Sequence, residues 1–210
     1  MNNHKVIQIG SAFLKEYLTK IEEMKSSKKI TDKEAFTARI FGENAINVWS
    51  GLFSDEQSPF STAELPEITE ESFDGMMKAF AYFTFAELDE VFHIYNSPFQ
   101  DKSVKDMLVP LLSSISKDRA VEIISAAIEG EDVRKYLGEC EKIIAENCRE
   151  AKTPEGETIG KYLLGAQIMF NDSDNSIIKT SNLRRKDMEE FAMKIYKRNM
   201  INLASFAGKV

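Results

Sequence analysis

Glu90 and His93 stand three residues apart in the stretch FTFAELDEVFHIYNSPFQDK, residues 83–102, and Glu87 extends the row. On a helix that spacing turns a carboxylate and an imidazole to one side. Carboxylate-bridged di-iron sites use it when two such motifs face each other across a bundle. The chain has two histidines, and the other, His4, lies near the N-terminus, so no second Glu-x-x-His exists. A metal-binding or metal-dependent site on Glu87, Glu90 and His93 is therefore the alternative reading, and an ordinary boundary histidine is the expectation.

Other chemistry finds less support. Asn171-Asp172-Ser173-Asp174-Asn175 opens like a calcium loop. Counted from Asp172, however, the sixth position is Ile177 where the turn needs Gly, and the twelfth is Leu183 where Glu should bind in bidentate fashion. A polar loop between helices is expected instead. There is no G-x-S-x-G elbow, no P-loop and no G-x-G-x-x-G. Cys140 and Cys148 fall in one helical pattern about 12 Å apart, beyond the roughly 7 Å reach of a disulfide, and read as buried reduced thiols. Lys186, Lys194 and Lys197 share a face with Glu190, the pattern of a solvated, salt-bridged helix. A pI near 5.1 also argues against nucleic acid. No catalytic residue and no cofactor is expected.

The elements that would position these residues read as helices. Ten glycines and five prolines are scattered through the chain, and 43% of residues are hydrophobic, which favours long helices over an all-β fold rich in turns. Val6, Ile9, Phe13, Tyr17, Ile21 and Met24 recur at helical spacing and predict a helix over residues 5–24, although residues 6–10 alone could pass for a strand. Thr31 and Glu34 form the S/T-x-x-E pattern of a capped helix start. Phe36, Ile40, Val48, Trp49 and Leu52 carry that helix to about residue 53. Residues 54–71, acidic and holding Pro59 and Pro66, read as an internal linker.

Thr84 and Glu87 repeat the capping pattern, which predicts a helix starting at Thr84 with Leu88, Val91, Phe92 and Tyr95 on one stripe. Ser97 can cap a further helix, with Pro98 at its first position. The break at NSP is thus a corner in a helix-corner-helix over residues 84–116. Its second arm carries Met107, Leu108, Leu111, Leu112 and Ile115, and Pro110 predicts a kink or early stop. Later stripes, such as Val121, Ile124, Ala127 and Ile128, complete an all-α single domain, residues 1–210, of about eight helices.

The corner resembles the domain of unknown function 2059 family over roughly residues 70–116. Glu87, Leu88, Tyr95, Ser97, Pro98 and Lys102 are the matching positions. The chain departs at Phe99-Gln100-Asp101, where the family commonly has a small residue and Gly-Gln. The resemblance implies a helical, mostly bacterial, usually exported protein, and it implies no reaction.

Charge is uneven. Residues 40–77 hold eight carboxylates and no Lys or Arg, whereas residues 176–210 hold eight basic residues against three acidic ones. Nine Met and fourteen Phe supply adaptable apolar surface. The expectation is a non-enzymatic protein-protein interaction module with a protein partner or a homodimer. No stretch approaches the roughly 20 apolar residues of a membrane span. No signal peptide is read in the first twenty residues, so a cytoplasmic protein is expected, or an exported one if a leader has been removed.

Overall fold

The computed structural model describes residues 2–54, helical positions at Thr84, Leu88, Val91, Phe92, Tyr95 and Asn96, the turn residue Pro98, residues 102–113 and 115–128, and residues 171, 172, 175 and 176. Most of these fall in α1 (Asn2–Ser26), α2 (Asp32–Ser54), α3 (Lys102–Leu112) and α4 (Lys117–Ile128). The described residues are helical apart from their connections and two short strands, β1 (Asn171–Asp172) and β2 (Asn175–Ser176). These pair antiparallel, Asn171 with Ser176 and Asp172 with Asn175. The expected polar loop is thus drawn into a tight pairing at its two ends. The linker beyond Ser54, both cysteines and the expected last helix lie outside the described residues.

Residues 6–10, readable as a strand, are helical within α1. Phe13, Tyr17 and Ile21 form its buried stripe. The helix stops by a defined backbone pattern: the Lys28 N–H donates to Lys25 O and the Lys29 N–H to Met24 O, each at 2.9 Å. That pair of hydrogen bonds is the Schellman ending, which needs a left-handed residue at Lys28, and φ there is 59°. Three residues later the chain re-enters a helix through the expected box. The Thr31 N–H donates to Glu34 Oε2 at 2.7 Å, and the Glu34 N–H donates to Thr31 Oγ1 at 3.2 Å. Each satisfies a donor that a helix start leaves without an intrahelical partner. So short a connection folds α1 and α2 into an antiparallel pair.

α2 is the centre of the described fold and packs on α1, α3 and α4. Ile40 is buried as expected, but Phe36 is only half-buried, and the side chains of Val48, Trp49 and Leu52 lie outside the described residues. The tightest contacts use small residues instead: Ala35, Thr37, Ala38 and Ala45 are all buried, beside Phe41 and Ile46. Small side chains on several faces let neighbours approach from several directions. Gly42 shows how close. A Cβ there would overlap the Tyr17 ring, lying 2.7 Å from Cδ1 and nearer still to Cε1. The Tyr17 hydroxyl then donates to Ala38 O at 2.6 Å, anchoring the ring over the gap that glycine leaves.

Pro110 lies inside α3, which ends two residues later at Leu112. Proline removes the donor to the carbonyl of Asp106, one turn back inside the helix, and α3 ends short of the expected stripe to Ile115. Ile115, expected on the helix, is buried in the connection that follows. α4 starts at a cap, with the Arg119 N–H donating to Ser116 Oγ at 3.2 Å. It buries Ala120, Ile123, Ile124, Ala127 and Ile128.

Candidate interaction surface

Of the residues singled out along the corner, the structure places Thr84, Leu88, Val91, Phe92, Tyr95, Pro98 and Lys102. Thr84, Leu88, Val91 and Phe92 are helical and buried, and Tyr95 is helical and half-buried. Thr84 takes a helical position at the start of this buried stripe, whereas an N-cap has non-helical backbone. Pro98 is exposed in a turn instead of opening a helix, and Lys102 is exposed at the first residue of α3. Glu87, Glu90, His93 and Ser97 lie outside the described residues. Among the described residues, no group of three His, Cys, Asp or Glu side chains converges to hold a metal.

Among the described residues, a surface suited to binding is the side of α1 turned away from its buried stripe. It forms an open groove of about 630 Å³ whose described lining runs from Ser11 to Ser26, with Leu14 and Leu18 half-buried along it. Residues at i, i+3, i+4 and i+7 line one helix face, so the groove follows the helix axis for about four turns. Two of its hydroxyls are already engaged. Ser11 Oγ donates to Ile7 O and Thr19 Oγ1 to Lys15 O, both at 2.9 Å. Such back-bonding satisfies the hydroxyl on its own helix and leaves the groove wall less polar than its residue types suggest. Lys15, Glu22 and Glu23 are exposed on the same face, and Glu23 pairs with Lys20 at 3.8 Å.

A second cluster holds the frame behind that face. Arg119 Nε donates to Glu34 Oε1 at 2.9 Å, its Nη2 donates to Lys29 O at 3.0 Å, and its Nη1 meets Glu122 at 2.9 Å. One guanidinium thereby joins the end of α1, the start of α2 and the start of α4. The Glu34 side chain is only 14% exposed, so this pair is shielded better than most surface ion pairs. Its hydrogen bond to Arg119, then that from the Thr31 amide, holds the Glu34 carboxyl below the usual carboxylate range. Bonding to Glu34 and Glu122 raises the Arg119 guanidinium further above its already high value. Burial pushes the Tyr17 phenol well above the ordinary range, so it stays a neutral donor to Ala38 O. These groups fasten helices; none is aimed into the groove.

Sequence reasoning missed Thr37, Gly42, Ser116 and Arg119. Gly42 carried a readable signal, a glycine inside a helical pattern, which often marks close packing. Ser116 also carried one, a serine ahead of an apolar stripe. Thr37 and Arg119 carried none, because their partners are far away in the chain. No family model, no curated protein and no solved structure matches the chain.

Proposed function

We propose that this chain is a non-enzymatic helical interaction module that binds another protein surface through the outer side of α1. The supporting observation is the open groove along Ser11–Ser26, with a leucine pair within it and charges around it. Apolar surface rimmed by polar groups is the usual composition of a protein-binding site. Kinship with the domain of unknown function 2059 family is proposed with it, on Glu87, Leu88, Tyr95, Ser97, Pro98 and Lys102, and adds no reaction. An amine-reactive cross-linker, applied to the purified chain alone and in extract of its source, tests the reading by mass spectrometry. Intermolecular links through Lys15 are expected. Links that map only to other lysines would refute a binding role for this face.

A further inference from the structure

Lys15 and Glu22 are exposed on the groove seven residues apart, two turns along one helix face and about 10 Å in rise. Among the described residues neither enters an ion pair within the chain. The midpoint between them falls at Leu18 and Thr19, which also line the groove, and Ser11 and Ser26 lie at nearly equal distances beyond. A two-fold axis through that midpoint would bring the stripe onto itself in reverse. Lys15 would then face the partner's Glu22, and Ser11 the partner's Ser26. A parallel arrangement would set Lys15 against the partner's Lys15 and Glu22 against the partner's Glu22. Like charges opposed in this way disfavour association, so charge selects the antiparallel form.

We infer that the occupant of this groove is a second copy of the chain, its α1 laid antiparallel with the Lys15–Glu22 contact made twice. The inference rests on the interaction reading above and names the partner for it. A two-fold contact is self-complementary, so each productive pair counts twice and each error is doubled as well. Leu18 supplies the apolar centre, and the serines at both ends let the helices approach closely. A seam four turns long falls at the small end of specific interfaces, which makes the dimer weak and concentration-dependent.

The test uses the full chain in size-exclusion chromatography with light scattering, at low ionic strength and across about a hundred-fold range of concentration. A dimer is expected. Lys15→Glu and Glu22→Lys should each weaken it about tenfold or more, because each sets two like-charge contacts at the seam. The combined Lys15→Glu, Glu22→Lys chain should dimerise nearly as well as the parent, since the exchange restores both contacts. An independent arm replaces Thr19 by Cys in a Cys140→Ser, Cys148→Ser background. Oxidation should cross-link Thr19→Cys near the axis, whereas Ser11→Cys, opposite the partner's Ser26, should stay uncross-linked. A dimer indifferent to both single reversals, with no Thr19→Cys cross-link, would overturn this inference and leave the interaction reading standing. A monomer at every concentration would overturn it too. If extract cross-linking through Lys15 is also absent, the interaction reading falls with it.

Discussion

Thr37→Val removes one hydroxyl and almost no volume, so it isolates a single buried hydrogen bond. Thr37 is 1% exposed, and its Oγ1 donates to Leu111 O at 2.8 Å, tying α2 to the end of α3. In a continuing helix that carbonyl would accept from the Ile115 N–H, but this amide donates instead to Leu112 O at 3.4 Å. The Val109 carbonyl is taken by the Ser113 N–H at 2.9 Å. Among the described residues Leu111 O therefore accepts from Thr37 and from no backbone N–H, as orphan acceptors of a helix end do, and its residue is 1% exposed. Valine would leave it without its donor. A buried acceptor stranded this way costs about 1–3 kcal/mol, so about 2 kcal/mol is expected. With a urea m-value of about 2 kcal/mol per molar, the unfolding midpoint should fall by about 1 M. Thr37→Ser keeps the donor and loses one methyl, for about 1 kcal/mol. Valine should therefore be the worse of the two. A chain in which Thr37→Val unfolds at or above the midpoint of Thr37→Ser would refute the reasoning, because burial would then outweigh the bond.

Gly42→Ala should destabilise by about 1–3 kcal/mol through overpacking against the anchored Tyr17 ring, despite alanine's better helix propensity, and thermal unfolding by circular dichroism reads this directly. Lys28→Gly relieves a left-handed lysine at the cost of a more flexible unfolded chain; a gain of about 0.5 kcal/mol is expected, while Lys28→Val should lose 1 kcal/mol or more. Glu34→Gln keeps a capping acceptor and loses the charge facing Arg119, for about 0.5–1 kcal/mol at neutral pH. Because folding lowers the Glu34 pKa, its contribution is full above the ordinary Glu value of about 4.3 and fades as pH falls through the folded value. The variant should accordingly lose less stability on acidification than the parent, and equal slopes from about pH 5 to 2 in chemical denaturation would count against that pairing.

What the chain reveals before folding is what neighbours in sequence decide. Thr31 and Glu34 are three residues apart, and their reciprocal cap was legible because both partners sit within one turn. Phe13, Tyr17 and Ile21 were legible from spacing alone. The buried faces of α2 were not, since Ala35, Ala38 and Ala45 give weak apolar signals, and their burial depends on three helices converging there. Thr84 is helical and buried, a placement that its local S/T-x-x-E match does not foretell. Pro98 likewise satisfies the rule for a first helical residue and lies in a turn, because a proline that tolerates a helix start does not require one. The candidate surface was least legible of all. A groove is defined by what does not pack on it, and no residue of α1 announces that.

The two capped helix starts explain why that face stays uncommitted. Glu34 is the third helical residue after its cap Thr31, and Arg119 is the third after its cap Ser116. In a capping box the third residue reaches back to its own cap, as Glu34 does. An arginine cannot accept that bond, so Arg119 reaches across to Glu34 and on to Lys29 O at the end of α1. A carboxylate then sits where two positive helix ends meet, matching the local dipole, and the guanidinium ties the turn after α1 to both starts. The charges closest to the core are consumed in closing this end of the fold. Lys15 and Glu22 lie up to four turns back along α1 from that junction, on the side turned away from α2. Neither can reach it, and the same stripe in reverse offers each of them an opposite charge at matching spacing.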